Sequence, residues 1–158
     1  MSQTNTTNQI SPCLWCKDNA LEKAEYYCSV FPNSKIISKH PAIVAFELNG
    51  NKFQALNGGV DFPYNESISF TIPCKDQAEV DHYWDTFIKD GGKAQDCAWC
   101  QDKYGMRWQI VPNRLVELMM DTDREKANKV MQAMMKMQKI IIADLEVTLG
   151  LIPINDKS

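Results

Sequence analysis

One short pattern of residues occurs twice in the chain, and this repetition limits the possible folds more than any other feature of the sequence. Residues 49–56 read NGNKFQAL and residues 104–111 read YGMRWQIV, so each copy has a glycine, any residue, a cation, an aromatic ring, a glutamine and two apolar residues. Because side chains alternate between the two faces of a strand, each glutamine points to the face opposite the one that holds its aromatic neighbour. The repeat therefore predicts one supersecondary unit used twice, with an apolar face against helices and a polar face that lines a cavity.

Apolar periodicity and turn signals predict the other elements of each unit. In the first unit we expect a strand at 10–16, a helix that Asp18 or Asn19 caps and that ends near residue 30, and strands at 35–39, 42–48 and 52–56. In the second unit we expect a strand at 67–73, a helix capped by Asp76 with Glu79, and strands at 95–101 and 106–111. This order predicts the α+β class, with paired βαβββ modules that form a cupped mixed sheet.

The sequence becomes helical after residue 112. Leucines and methionines at helical spacing predict a short helix near residue 115, a longer helix at 123–138 and a third at 140–149. We expect most of these methionines to lie in a core, formed across the two units or with a partner chain. The predicted organisation is a disordered tail at 1–9, modules at 10–57 and 65–112 that form one domain, a helical extension at 113–150 and a tail at 151–158.

Charge and hydropathy argue against two classes of partner. The formal net charge is −3, which provides no concentrated basic surface for nucleic acid. No apolar run reaches the roughly 20 residues that a membrane-spanning helix needs, and the first residues lack the pattern of a secretory signal. We therefore expect no nucleic-acid partner, no membrane partner and a cytoplasmic location.

The cysteines include two Cys-x-x-Cys pairs, Cys13 with Cys16 and Cys97 with Cys100. Such pairs can hold zinc. Both pairs fall in predicted strands, where residues three apart point to opposite faces and cannot close on one metal ion or form a disulfide. We expect reduced structural cysteines.

A set of motifs occurs in the order in which one known family carries them. The motifs are LW at 14–15, YY at 26–27, FPNSK at 31–35, LNGG at 56–59, ISF at 68–70, DKYG at 102–105, WQIVP at 108–112 and VMQAMMKM at 130–137. With them, the chain resembles the PhnB-like branch of the vicinal oxygen chelate superfamily over about residues 10–149. That superfamily contains glyoxalase I, bleomycin-resistance proteins and extradiol dioxygenases. The resemblance implies the glyoxalase/bleomycin-resistance fold and a homodimer.

The branch is often labelled 3-demethylubiquinone-9 3-methyltransferase, but the residues give no support to that activity. The sequence has no glycine-rich turn between a strand and a helix of the kind that cradles a nucleotide-like cofactor. We expect no cofactor, and whether the chain is an enzyme stays open.

In metal-using members of the superfamily, the ligands come from the first and last strands of each module. Carried over by the resemblance, these positions become Ser11, Gln54, Ser67 and Gln109, with Ser69 in place of Ser67 if the strand register slips by two. Hydroxyls and neutral amides do not replace the water shell of a divalent cation as imidazole or carboxylate groups do. His40 and His82 are expected at the surface. We therefore predict no catalytic metal.

The remaining candidate is a pocket of neutral hydrogen-bonding groups and aromatic rings that holds a small organic ligand. Its predicted lining is Ser11, Cys13, Trp15, Gln54, Ser67, Ser69, Trp99 and Gln109. The alternatives are a metal-dependent lyase, isomerase or dioxygenase, a cup filled by its own side chains, and a scaffold whose C-terminal helices serve dimer assembly. Only residues 38–42 join the second and third strands, so a lid found in relatives is expected to be missing.

Overall fold

The computed structural model of the chain describes residues 9–153. The chain divides into two compact units, Met1–Pro63 and Tyr64–Ser158. The predicted tails at 1–9 and 151–158 lie mostly outside the described residues.

The first unit is a mixed four-stranded sheet packed against one helix. Its elements are β1 (Cys13–Cys16), α1 (Ala20–Val30), β2 (Lys35–Lys39), β3 (Ile43–Leu48) and β4 (Asn51–Asn57). The strand order is β1-β4-β3-β2, with β1 parallel to β4 and the other pairs antiparallel. This arrangement is a βαβββ module, as the repeated pattern predicts.

The helix α1 buries Ala20, Ala24 and Tyr27, the face that their spacing predicts. The predicted side-chain cap is wrong, because Asn19 at the N-cap position makes no cap hydrogen bond. Instead, the amide N–H of Ala20 donates to Oδ1 of Asn57, at the end of β4, over 2.9 Å. A strand residue thus satisfies one of the free N–H groups of the first helical turn.

The strand β2 lies at an edge of the first sheet. A bulge interrupts its pairing with β3 between Ile36 and Ser38. Lys35 and Lys39 stand at its two ends and form ion pairs with carboxylates of the same unit. Only residues 40–42 connect β2 to β3, so the predicted short connection is confirmed.

The second unit repeats this architecture. Its elements are β5 (Ser69–Cys74), α2 (Gln77–Lys89), β6 (Lys93–Ala94), β7 (Trp99–Gln101) and β8 (Arg107–Pro112). The strand order is β5-β8-β7-β6, with β5 parallel to β8. The α+β class and the second βαβββ module are both confirmed.

The predicted capping of α2 is confirmed. Oδ1 of Asp76 accepts from the amide N–H of Glu79 over 3.0 Å, and Glu79 accepts in return from the amide of Lys75 over 2.9 Å. The buried face of the helix consists of Val80, Tyr83, Trp84 and Phe87.

Three helices follow the second sheet, namely α3 (Asn113–Met119), α4 (Arg124–Met134) and α5 (Ile142–Thr148). Their core consists of Ala98, Leu115, Leu118, Val130, Ile140 and Leu145. Met134 and Met137 pack against this core as predicted, whereas Met131 and Met135 are exposed.

The side chain of Gln77 attaches the last of these helices to α2. Its Nε2 donates to the carbonyl of Ile140 over 3.0 Å, and its Oε1 accepts from the amide of Ile142 over 2.9 Å. Lys139 adds ion pairs of 2.9 and 3.0 Å to Asp81 and Asp85. The extension therefore packs on the second unit.

Several predicted boundaries are wrong. The first strand begins at Cys13 and not at residue 10, and β5 begins at Ser69 and not at residue 67. The strand predicted at 95–101 is broken, because Cys97 and Ala98 have φ angles of 59° and 71° and donate their amides to carbonyls of residues 137 and 138. The helix predicted at 123–138 ends at Met134.

None of the helices formed by residues 9–153 has the length and the apolar character needed to cross a bilayer.

Candidate functional site

The sheet of the first unit has one buried face and one open face. Phe53 and Ala55 of β4 are buried, whereas Gln54 between them is only partly covered. In the register of the sheet, Gln54 lies beside Cys13 of β1 and Ala45 of β3. The open face thus brings together Cys13 and Gln54, with Trp15 two residues further along β1.

The indole of Trp15 is fixed by the loop that follows β4. Its Nε1 donates to the carbonyl of Val60 over 2.7 Å, and its ring lies 5.4 Å from the ring of Phe62. A Cβ atom at Gly58 would overlap the indole, so this position requires glycine. Trp15 therefore offers a ligand its ring, but its N–H already has a partner.

The open face of the second sheet carries a matching set of groups. Gln109 of β8 lies beside Thr71 of β5 and Trp99 of β7. Its Nε2 donates to Oγ of Ser69 over 2.8 Å, and its Oε1 accepts no hydrogen bond from residues 9–153. Ser69, Trp99 and Gln109 are all partly buried, and together they form a polar and aromatic surface.

An ion pair lies two residues before Gln109 on the same face. Nε and Nη2 of Arg107 donate to Oε1 of Glu66 over 3.0 and 2.6 Å. Nη1 of Arg107 donates to the carbonyls of Tyr64 and Gly105. The hydrogen bonds from Arg107 hold the pKa of Glu66 below its usual value, which makes this carboxylate a poor general base.

The carboxylate of Asp102 organises the turn that precedes β8. It is almost completely buried. Its Oδ1 accepts from the amides of Tyr104 and Met106 over 2.8 and 3.1 Å, and its Oδ2 accepts from Nε1 of Trp108 over 2.8 Å. Asp102 thereby fixes the strand that presents Arg107 and Gln109.

Two of the predicted pocket residues lie outside the strands. Ser11 precedes β1. Ser67 precedes β5, and its hydroxyl donates to Oδ1 of Asn65 over 2.6 Å. Ser69 takes the predicted strand position, as the alternative register anticipates.

Sequence reasoning missed three contacts of the site, which join Trp15 to its loop, Arg107 to Glu66 and Asp102 to Trp108. The aspartate ahead of a glycine turn was an available signal, since such side chains bind nearby backbone amides. The other two contacts depend on how loops fold back, and no local pattern indicates them.

The side chains of the open faces do not form a set suited to a divalent cation. No three His, Cys, Asp or Glu side chains within residues 9–153 are grouped so that they could hold a metal ion. The strand positions are occupied by Gln54, Ser69 and Gln109, which are neutral. His40 and His82 are exposed, as predicted. The donor chemistry therefore does not fit the metal centres of the superfamily.

The described cysteines are all free thiols. The pKa of Cys74 and of Cys100 is raised to about 12, mainly because burial disfavours the thiolate and to a smaller extent because carboxylates lie nearby. These two thiols are unsuited to nucleophilic chemistry near neutral pH. Cys13 is exposed and lies on the open face.

Solved structures of other proteins share this fold. The Bacillus cereus PhnB protein, described as a 3-demethylubiquinone-9 3-methyltransferase, matches with a TM-score of 0.60 and 24% identity, over 66% of this chain and 99% of that one. A glyoxalase-related enzyme from Fulvimarina pelagi matches with a TM-score of 0.51 and 16% identity, over 69% and 91%. The fosfomycin resistance protein FosX from Listeria monocytogenes, in complex with Mn(II) and sulfate, matches with a TM-score of 0.50 and 14% identity, over 65% and 86%.

The fold is therefore that of the glyoxalase/bleomycin-resistance superfamily. Within it, residues 8–111 match the family model described as 3-demethylubiquinone-9 3-methyltransferase, and the chain belongs to this PhnB-like family. None of the curated proteins compared with the chain matches it.

Proposed function

We propose that the chain binds a small organic molecule at the open faces of its sheets without the help of a metal ion. The observation that carries this proposal is the state of Gln54 and Trp99. Both side chains are partly buried, and neither makes a side-chain hydrogen bond within residues 9–153. A polar group held half-covered and unpaired gains a partner when a ligand arrives.

The chemistry of the lining defines the class of ligand. An amide and an indole N–H offer hydrogen bonds without charge, and the indole ring offers a surface for stacking. In the first unit Gln54 supplies an amide and Trp15 an indole ring, beside the thiol of Cys13. In the second unit Gln109 supplies an amide and Trp99 an indole, beside the hydroxyl of Ser69. The supported ligand is an aromatic or amide-bearing molecule, held as a resistance protein sequesters a drug.

Methyl transfer gains no support from the connections between strands and helices. Residues 17–19 join β1 to α1, and residues 75–76 join β5 to α2. Neither segment contains glycine, so neither provides the backbone cradle that a nucleotide-like cofactor uses.

The proposal includes a homodimer in a reducing compartment such as the cytoplasm. Free cysteines throughout the described chain support the reducing environment. The exposed apolar side chains of Val116, Met120 and Met131 support a partner surface on the C-terminal helices. Sedimentation analysis tests the oligomeric state directly, and a monomer at all concentrations contradicts the dimer.

A thermal-shift screen of aromatic metabolites and antibiotics tests the binding function. For a ligand found in this way, we expect Trp99→Ala to weaken binding about tenfold or more, because a central aromatic contact contributes at least about 1.4 kcal/mol. Lys89→Ala, at an exposed lysine of α2, is the control and should leave the dissociation constant unchanged. Equal affinity of both variants would place the ligand elsewhere.

Elemental analysis separates this proposal from a metal-dependent lyase, isomerase or dioxygenase. We expect no metal to remain after the protein is soaked in zinc, nickel, manganese or iron(II) and then desalted. Near-stoichiometric metal that disappears in Gln54→Ala and Gln109→Ala would contradict metal-independent binding, and glyoxalase and dioxygenase assays would then test the alternative.

A further inference from the structure

We propose that the open face of the second unit binds an acidic group, a carboxylate or a phosphate, at Arg107 in the place that Glu66 occupies. This inference rests on the proposed binding function and narrows its ligand to an organic acid. An anion would replace Glu66 on the guanidinium, and the uncharged part of the molecule would lie on Trp99 and Gln109.

The surroundings of Arg107 already form an anion site. Nε and Nη2 of Arg107 and Nε2 of Gln95 all donate to one oxygen, Oε1 of Glu66, over 3.0, 2.6 and 3.4 Å. The side chain of Arg107 is only 12% exposed, so its guanidinium is fixed before any ligand arrives. A rigid guanidinium with a neighbouring amide is the arrangement that recognises carboxylate and phosphate groups.

A bound ligand could displace the carboxylate of Glu66 from Arg107. Its side chain is 59% exposed, and it belongs to the segment that precedes β5 and not to a strand. An ion pair with one largely exposed partner contributes little to stability. A ligand can therefore take over the hydrogen bonds of Arg107 at a small cost to the fold.

Gln95 shows that the arrangement with Glu66 leaves a group unsatisfied. Its Oε1 is buried and makes no hydrogen bond within the described residues. Buried acceptors are normally paired. An acidic group that carries a proton, such as hydrogen phosphate, or that brings a water molecule with it would satisfy this atom, which Glu66 does not.

The spacing along β8 fits an aromatic acid. Arg107 and Gln109 are two residues apart on one face, a separation of about 7 Å. Trp99 lies directly beside Gln109 in the sheet. A carboxylate at Arg107 therefore places an attached ring against the indole of Trp99.

The test uses nitrogen-labelled full-length protein titrated with benzoate and with benzamide, its neutral counterpart. We expect benzoate to shift the Nε–H signal of Arg107 and the indole N–H signal of Trp99, and to bind at least tenfold more tightly than benzamide. Glu66→Gln removes the internal competitor and should tighten benzoate binding severalfold, whereas Arg107→Gln should abolish its advantage over benzamide. Lys89→Gln, an exposed cation of the same unit, is the control and should change neither.

Acetate and inorganic phosphate test the acidic site without the aromatic part of the ligand. In Glu66→Gln, both should shift the Arg107 signal and leave Trp99 unchanged. An unmoved Arg107 signal, together with equal binding of benzoate and benzamide at Trp99, would overturn this inference and leave the proposed function standing. Preference for benzylamine would overturn it as well, because Glu66 would then be the ligand-binding group. If no probe moves either signal, the site at Arg107 is refuted, and the screen above decides on the proposed function separately.

Discussion

At the scale of single residues, one buried carboxylate fixes the turn from which β8 begins. Asp102 accepts hydrogen bonds from two backbone amides and from the indole of Trp108. Trp108 in turn stacks on Phe87 of α2, with ring centroids 5.3 Å apart. The turn, the strand and the helix are thus joined through one side chain.

Replacement of Asp102 should therefore destabilise the folded protein. We expect Asp102→Ala to lower the free energy of unfolding by about 3 kcal/mol, because buried donors that lose their acceptor cost about 1–3 kcal/mol each. Urea denaturation measures this loss. Asp18→Ala, at an exposed aspartate, is the control and should change stability by less than about 0.5 kcal/mol. Similar values for the two variants would contradict the role assigned to Asp102.

Two neighbouring glycines make a second comparison at this scale. Gly58→Ala should displace the indole of Trp15, because the new Cβ would overlap it, and should shift the Trp15 indole N–H signal in an NMR spectrum. Gly59 has a φ angle of 77° and open space around its Cα. Gly59→Ala should cost about 1 kcal/mol of backbone strain and leave the Trp15 signal in place. An unchanged signal in Gly58→Ala would contradict the close packing of the loop.

At the scale of elements, the sequence predicts those strands and helices whose signals are local. The bounds of β2 and the end of α1 follow from a turn at residues 31–34, and Asp76 marks the start of α2. The break before β7 was missed because a distant part of the chain decides it. The carbonyls of residues 137 and 138 accept hydrogen bonds from the amides of Cys97 and Ala98, and no pattern near residue 97 indicates this pairing.

In the candidate site too, the sequence predicts the features that depend on local pattern and misses those that depend on distant residues. Strand alternation places Gln54 and Gln109 on open faces, and the structure agrees. The partners of Trp15 and Arg107 come from loops at residues 58–62 and 64–66. Loop conformations depend on packing between distant residues, so periodicity carries no information about them.

The attachment of the C-terminal helices to α2 gives a prediction at this scale. Gln77→Ala should lower the free energy of unfolding by about 1 kcal/mol or more, because a partly buried backbone amide and a partly buried carbonyl lose their partner. Hydrogen exchange in α5 should accelerate more than exchange in β8. Gln132→Ala is the matched control. Uniform acceleration throughout the second unit would contradict a local attachment.

At the scale of the whole molecule, stability should depend on alkaline pH. Burial raises the pKa of Cys74 and Cys100 to about 12, and it also raises the pKa of Tyr83. As the pH rises, these groups lose their protons in the unfolded chain before they lose them in the folded chain. The contribution of these groups to the free energy of unfolding is therefore fully present below about pH 9 and is lost as the pH rises from about 9 towards 12.

Denaturation at several pH values tests this expectation. The double variant Cys74→Ala, Cys100→Ala should lose less stability between pH 8 and pH 11 than the natural chain, although it starts from a lower value. Cys13→Ala, at an exposed thiol, should keep the natural pH profile. Parallel profiles for the double variant and the natural chain would show that the two thiols do not cause the alkaline loss.

The edge strand β2 has a consequence for behaviour at high concentration. An edge strand offers unpaired backbone groups to any other strand that can align with it, and such alignment between molecules starts aggregation. The bulge between Ile36 and Ser38 disturbs that alignment, and the lysines at both ends place charged side chains on the strand, which discourage pairing with another molecule. The exposed Ile37 lies at this bulge and not in a regular stretch of the edge. We therefore expect removal of the bulge or of the two lysines to promote aggregation through this edge, whatever the stability of the core.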